Sequence, residues 1–342
     1  MSIRRVGACA RQLPGPGVRC VGRLAETGLA AALAAIAVTD AAAQAWPVRP
    51  VRLVVPYAPG GGTDILGRIV GQRLGEQVGQ PVVIDNRSGG GTIIGSDIVA
   101  KAAPDGHTLL MNTTALVINS ALHAKLPYDL ARDFRPVMRV AIVHNVLVVS
   151  PTLPVTSVKG LLDHARTRPG GVNFATSGVG TAGHIAGELL RAMSGIPLTH
   201  VPYRGGAPLI PDLIAGQVHF IFGSMPTVLP LIEAGRLRAL GVASATRAEA
   251  LPHLPTIAES GMPGFDVTSW QGVFAPGRTP PALVERINGE LKRVIALPEV
   301  RRQLAANGFE PVGSSVAEFS ARIEDELARW TKLIRASGAR PE

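Results

Sequence analysis

The sequence predicts an α/β fold in two domains, each a mostly parallel sheet flanked by helices. Three observations carry this expectation. Short apolar, β-branched segments alternate with stretches of helical spacing along most of the chain, the pattern of strand–helix–strand units. Three of the strand-to-helix turns are glycine-rich: Gly60–Asp64, Gly89–Thr92 and Gly178–Gly183. The chain has 342 residues, which is long for one domain even after its first 45 are set aside.

The elements follow in order. Val51–Tyr57 reads as a buried strand and is followed by a helix from about Ile65 to Val78. Pro81–Arg87 is a second strand, with a helix near Ile93–Lys101, and Thr108–Asn112 is a third. Val137–Val149 is one long β-branched run that ends at Ser150-Pro151. A second set of strands is expected at Val172–Thr176, Leu198–Tyr203, His219–Phe222 and Leu237–Ala243, with helices near Ala182–Met193, Pro208–Ala215 and Thr227–Ala234 between them. Trp270–Pro276 is a late strand, and helices near Pro281–Ala296 and Val316–Ala336 close the chain. These place residues 46–148 plus 270–342 in a first domain and residues 149–269 in a second.

Residues 1–45 read as a cleaved signal peptide. Arg4, Arg5, Arg11, Arg19 and Arg23 form a basic front, Leu29–Val38 is an apolar core, and Ala41–Ala45 offers small-residue cleavage sites. The apolar run is shorter than the roughly 20 residues a membrane span needs. An exported, periplasmic protein is therefore expected. Both cysteines, Cys9 and Cys20, precede the apolar core. A processed chain would then hold no disulfide, no thiolate metal site and no cysteine nucleophile. The formal net charge is +9, but the basic residues beyond the front are scattered and aromatics are few, which argues against nucleic-acid binding.

The turn Tyr57-Ala58-Pro59-Gly60-Gly61-Gly62-Thr63-Asp64 is the strongest local signal. Glycines let a ligand approach the backbone, and the unpaired N–H groups of the following helical turn favour an anion. Asp64 would repel that anion, so its expected job is helix N-cap, as for Thr92 and Thr181. Gly178-Val179-Gly180-Thr181-Ala182-Gly183 matches G-x-G-x-x-G, but the next strand, Leu198–Arg204, carries no acid for a ribose hydroxyl. It reads better as a second anion-binding helix start, with Ser177 and Thr181 as hydroxyl donors. In open α/β sheets ligands sit beyond the carboxyl ends of the strands, so a ligand between such turns would bridge a cleft. Histidines at metal spacing, a G-x-S-x-G elbow and a phosphate-binding G-x-x-x-x-G-K-[ST] loop are all missing, so neither a metal nor a cofactor is expected. His184, one residue after Gly183, could either bond a carboxylate or pack its helix.

The ordered set of motifs resembles one family. Trp46–Pro50, Tyr57–Asp64, Asp85–Thr92, Pro104–Leu110, Asn145–Val149, Gly180–His184, His200–Gly205, Gly216–Val218, Ala234–Leu240 and Leu254–Glu259 resemble the Bug-type receptors, the extracytoplasmic binding proteins of tripartite tricarboxylate transporters. The resemblance implies a periplasmic-binding-protein fold of type II-like form, closing over a small carboxylate and delivering it, as a monomer, to integral-membrane transporter subunits. A ligand-binding partner of a signalling sensor is the alternative, and an exported α/β enzyme a weaker one. Carried over residue by residue, Tyr57, Ala58, Gly60, Gly61, Gly62, Thr63 and Asp64 would hold one carboxylate. Asn86, Gly91 and Thr92 would line the same wall, with Thr113 and Thr114 closing it. Ser177, Gly180, Thr181 and His184 would face from the second domain, and Tyr203 would supply a side wall. Many relatives carry Asp where this chain has His219 and Gly223, which points to a dicarboxylate or aromatic carboxylate without a positive charge rather than an amino acid. His144 stands where proline is common.

Overall fold

The computed structural model describes residues 46–168 and 171–341, so the expected signal segment lies outside the described residues. Eleven strands are described: β1 (Val51–Val55), β2 (Val82–Asn86), β3 (Thr108–Thr113), β4 (Phe134–Val143), β5 (Asn145–Val149), β6 (Val172–Thr176), β7 (Leu198–Pro202), β8 (Phe220–Ser224), β9 (Arg238–Val242), β10 (Ser269–Pro276) and β11 (Phe309–Pro311). The helices are α1 (Gly62–Val78), α2 (Ile93–Ala100), α3 (Ala115–Leu122), α4 (Leu130–Asp133), α5 (Val158–Thr167), α6 (Ala182–Ser194), α7 (Gly206–Ile214), α8 (Met225–Glu233), α9 (Pro281–Ala296), α10 (Pro298–Ala306) and α11 (Val316–Ser337).

The strands form two sheets, β11-β4-β10-β3-β1-β2 and β7-β6-β8-β5-β9. Each sheet is mixed, not mostly parallel. In the first, β1 pairs parallel with β2 and β3, whereas β10 runs antiparallel to β3 and β4, and β11 to β4. In the second, β6 pairs parallel with β7 and β8, whereas β5 runs antiparallel to β8 and β9. The parallel halves are the helix-connected units that hydrophobic periodicity revealed. The antiparallel halves hold the strands on which the chain crosses between sheets.

The expected long run Val137–Val149 is in fact divided. It breaks at His144, which leaves β4 in the first sheet and β5 in the second. The crossover therefore comes before the expected boundary, and residues 145–148 lie in a strand of the second sheet. A β-branched run shows no sign of this in its composition, because both halves are buried strands. His144 itself is buried, with Nδ1 2.7 Å from Ser244 Oγ and Nε2 2.7 Å from Glu310 Oε1. The chain returns through Asp266–Thr268 into β10, and the Thr114 and Ser269 hydroxyls bond at 3.0 Å beside that second crossing. Helix α11 packs on α3 beside the first sheet and on α6 beside the second. Its start is fixed by a capping box, with the Ser315 hydroxyl accepting from the Glu318 N–H and the Glu318 carboxylate accepting from the Ser315 N–H.

The core is apolar and aromatic. Trp270 and Phe319 meet edge to face at 5.1 Å, tying β10 to α11, and Phe174 stacks on Phe220 at 5.7 Å between β6 and β8. Among the described residues no helix is long and apolar enough to cross a membrane, and no group of His, Cys, Asp and Glu is placed to hold a metal ion.

Candidate ligand-binding site

The strand ends and helix starts of both lobes converge on one cavity of about 60 Å³. That is room for several water-sized groups, on the scale of about 10–15 Å³ for one. The residues that build it follow from local chain chemistry. At the end of β1 the turn reaches Gly61, which caps α1, and Gly61, Gly62 and Thr63 line the wall. From the second lobe, β6 ends in Thr176, followed by Ser177, and Thr181 caps α6, so that Thr176, Ser177, Thr181, Ala182 and Gly183 line the opposite wall. Gly206 at the start of α7 and Ser224 and Thr227 at the start of α8 complete that side. The first N–H groups of each helix have no acceptor within the helix and carry its positive dipole end. Every helix start named here therefore turns toward the same space.

No lining residue is charged. Hydroxyls and amides supply the polarity. The Tyr57 and Thr113 hydroxyls bond at 2.9 Å, and burial pushes the Tyr57 phenol well above its ordinary range, so it stays protonated. An anion here would be met by dipoles alone. Such dipoles act most strongly where the local dielectric is low.

Of the residues expected from sequence, Tyr57, Gly61, Gly62, Thr63, Thr113, Ser177 and Thr181 line this cavity. The others lie behind it or beside it. Asp64 is not the N-cap of α1, because Gly61 holds that position. Its carboxylate instead accepts from the Gly60 N–H at 2.9 Å, from Arg68 Nε at 2.9 Å and from Asn86 Nδ2 at 3.1 Å. Burial raises its pKa, but those donors outweigh burial and hold it below the usual carboxylate range. Asn86 also donates to the Tyr57 carbonyl, so Asp64 and Asn86 together fix the turn from behind. Thr114 is buried at the second crossing. Thr92 caps α2 in a left-handed conformation, at φ 87°, with no hydrogen bond from its side chain to the helix.

His184 is buried, and its ring stacks on His200 at 4.5 Å. Burial, and then the neighbouring His200, lower its pKa to about 3, so the ring is neutral and its Nδ1 accepts the Gly180 N–H. It packs the helix start and presents no cation. Tyr203 bonds Asp212 at 2.5 Å, and burial and that carboxylate push its phenol up to about 12. Neither residue is on the cavity wall.

Ala58, Gly60, Gly91 and Gly180 form part of a seam where the lobes touch. The Ala58 N–H donates to the Arg204 carbonyl at 3.3 Å, and the Gly62 N–H donates to Thr227 Oγ1 at 3.1 Å. A methyl on Gly91 would overlap the Val179 carbonyl, and one on Gly180 would overlap the Asn119 amide. At these glycines the close approach is by the protein's own backbone and side-chain amide.

Sequence reasoning missed the cavity floor. Asn145, Ser269 and Gln271 line it from the two crossover strands. It also missed the α8 start, where Ser224 and Thr227 bond each other at 3.0 Å. A signal was available there: serine at an N-cap followed by Pro226 in the first turn marks a helix start without any glycine.

A family model described as the tripartite tricarboxylate transporter family receptor matches residues 66–339. The chain belongs to this family. A Pseudomonas sp. (strain P51) relative, "UPF0065 protein in tcbD-tcbE intergenic region", is 44% identical, over 90% of this chain and 92% of the relative. Protein BugT of Bordetella pertussis is 36% identical, over 93% of this chain and 98% of its own. Among solved structures, R. palustris Rpa4515 with adipate is 41% identical and superposes with a TM-score of 0.84, covering 87% of this chain and all of that one. MatC from Rhodopseudomonas palustris with bound malate is 30% identical, with a TM-score of 0.80, covering 84% of this chain and all of that one. As a receptor of this family, the protein has the two-sheet frame of solute-binding proteins, and its cavity lies between the sheets.

Proposed function

We propose that the protein is an exported receptor that captures a small carboxylate between its two lobes and hands it to membrane subunits of a tripartite tricarboxylate transporter. One observation carries the reading: helix starts from both lobes converge on one cavity that is lined by hydroxyls and amides and has no charged side chain. An anion is the ligand such dipoles favour, and no lining residue would need to change protonation to accept it. Gly223 lies on the wall where an acid would be needed to balance an ammonium group. A dicarboxylate or aromatic carboxylate therefore fits better than an amino acid. The relatives bound to adipate and malate support the same class.

Domains spanning residues 46–148 with 270–342, and 149–269, were the sequence expectation. With the crossover at His144, we place the hinge at His144 and at Asp266–Thr268. Closure about a few such residues is the common motion of two-lobed binding proteins. The ligand is bound and released unchanged, so the protein acts as a carrier and not as an enzyme. A thermal-shift screen against carboxylates tests this. At about 100 times its Kd a ligand adds roughly 2.7 kcal/mol, which raises Tm by several degrees. A shift of that size with an acid recovered intact is expected. Conversion of the acid would contradict the reading.

A further inference from the structure

The cavity floor holds two amides with polar atoms that no protein group satisfies. Asn145 opens β5 directly after the first crossover, and Gln271 lies near the start of β10 directly after the second. Both line the cavity, and they are only 5% and 2% exposed. Asn145 Nδ2 is a donor with no acceptor, and Gln271 Oε1 is an acceptor with no donor. Among the described residues, no other side chain on the cavity wall has a buried polar atom in this condition. Nearby hydroxyls are paired: Tyr57 with Thr113, Ser224 with Thr227, and Ser269 with Thr114. Buried polar groups in native proteins nearly always find partners, and an unmet one is costly, so this pair needs an explanation.

We propose that Asn145 and Gln271 read a hydroxyl group on the body of the ligand, so that the site prefers a hydroxylated carboxylate to the corresponding plain acid. This inference rests on the carboxylate reading above and specifies its substrate class. The chemistry selects the hydroxyl. An ionised carboxylate only accepts hydrogen bonds, so it can meet the Asn145 donor but offers nothing to Gln271 Oε1. An ammonium could donate to Gln271, but its charge would face helix N-termini and no carboxylate on the wall. A hydroxyl donates once and accepts as well, and so can satisfy both amides. The floor is also suited to discrimination. A site built to bond a hydroxyl rejects the analogue lacking it far more strongly than an apolar pocket rejects a missing methylene, because the polar groups are then left unpaired.

The test is calorimetry on the purified protein with matched pairs: succinate and malate, glutarate and 2-hydroxyglutarate, benzoate and 4-hydroxybenzoate. In at least one pair the hydroxylated member is expected to bind at least about tenfold tighter, the ratio that the net worth of one hydrogen bond sets as a lower bound. Gln271→Met removes the acceptor and keeps the bulk. It is expected to bring that pair to within about threefold by weakening the hydroxylated member alone. The variant should melt no lower than the wild type, since no protein hydrogen bond to Gln271 Oε1 is lost. Equal binding of both members of every pair that binds, or an equal loss for both members in Gln271→Met, would overturn this inference and leave the carboxylate reading intact. Binding of none of the six acids, nor of any acid in the wider screen, would overturn both. A lower melting temperature for Gln271→Met would contradict the premise that the acceptor is unpaired.

Discussion

Three turns in this chain look alike in sequence and do different work. Each is a glycine-rich passage from a strand to a helix. The first, from Tyr57 to Asp64, puts Gly61, Gly62 and Thr63 on the cavity wall. The second, Gly89–Thr92, has no glycine there and presses Gly91 against the Val179 carbonyl. The third, Gly178–Gly183, is divided. Gly178 and Gly180 meet Gly91 and Asn119 at the seam, whereas Thr181 and Gly183 face the cavity. Glycine marks a place where something comes close to the backbone. Whether a ligand or another stretch of backbone comes close depends on which turn faces which across the cleft, and that is a property of the assembled lobes.

The most severe break of this comparison is at the seam. Gly91→Ala adds a methyl that overlaps Val179 when the lobes meet and forces alanine into φ 58°. Affinity for the carboxylate is expected to fall by at least about 100-fold, the difference of a few kcal/mol that separates closed from open when the contact is lost. Small-angle scattering should show a larger radius of gyration that ligand no longer reduces. Gly79→Ala is the control: it has the same kind of left-handed backbone, at φ 71°, with nothing within 4 Å of the added methyl. It should lose about 1–2 kcal/mol of stability and keep its affinity. Equal binding defects in both variants would mean that backbone strain, not the seam, explains the loss.

At the cavity itself the effect is smaller. Thr63→Val keeps the shape and removes a wall hydroxyl, and a tenfold loss of affinity is expected at unchanged Tm, about 1.4 kcal/mol. Thr181→Val removes the acceptor that caps α6 for the His184 N–H. That should lower Tm by about 2 °C, for a cap worth about 1 kcal/mol.

Asp64 sharpens the contrast between lining a turn and holding it. Its native pKa is lowered, so its stabilising contribution is complete above about pH 4, where the unfolded carboxyl is ionised. It is lost as the pH falls through the lowered native value. Asp64→Asn should therefore melt below the wild type at neutral pH and converge with it in acid, as read by Tm against pH. The smallest effect belongs to Tyr203→Phe, which breaks only the bond to Asp212, a pair that does not line the cavity. Its carboxylate affinity is expected to stay within about twofold, because no cavity contact changes.

Much of the frame was legible because burial writes itself into local pattern. Val172–Thr176 and Pro281–Ala296 have the expected bounds. The break at His144 was not legible, since apolar residues on its two sides serve two different sheets. Helix α3 was missed for a related reason. Ala115–Leu122 is buried on nearly every side, so it has no polar face to mark a helical period. Within the site, the turns announced themselves through glycine. The floor did not, because Asn145, Ser269 and Gln271 come together only through the two crossovers, far apart along the chain. His184 carried no local sign that His200 would stack on it and keep it neutral.

The central claim is that dipoles of both lobes hold a ligand by its negative charge. The direct measurement is calorimetric titration of the purified protein with a carboxylate found in the thermal screen and, separately, with its methyl ester, which matches its body and lacks its charge. The account predicts micromolar binding of the acid, about −8 kcal/mol, and a loss of at least 100-fold for the ester. Ester binding as tight as that of the acid would contradict it.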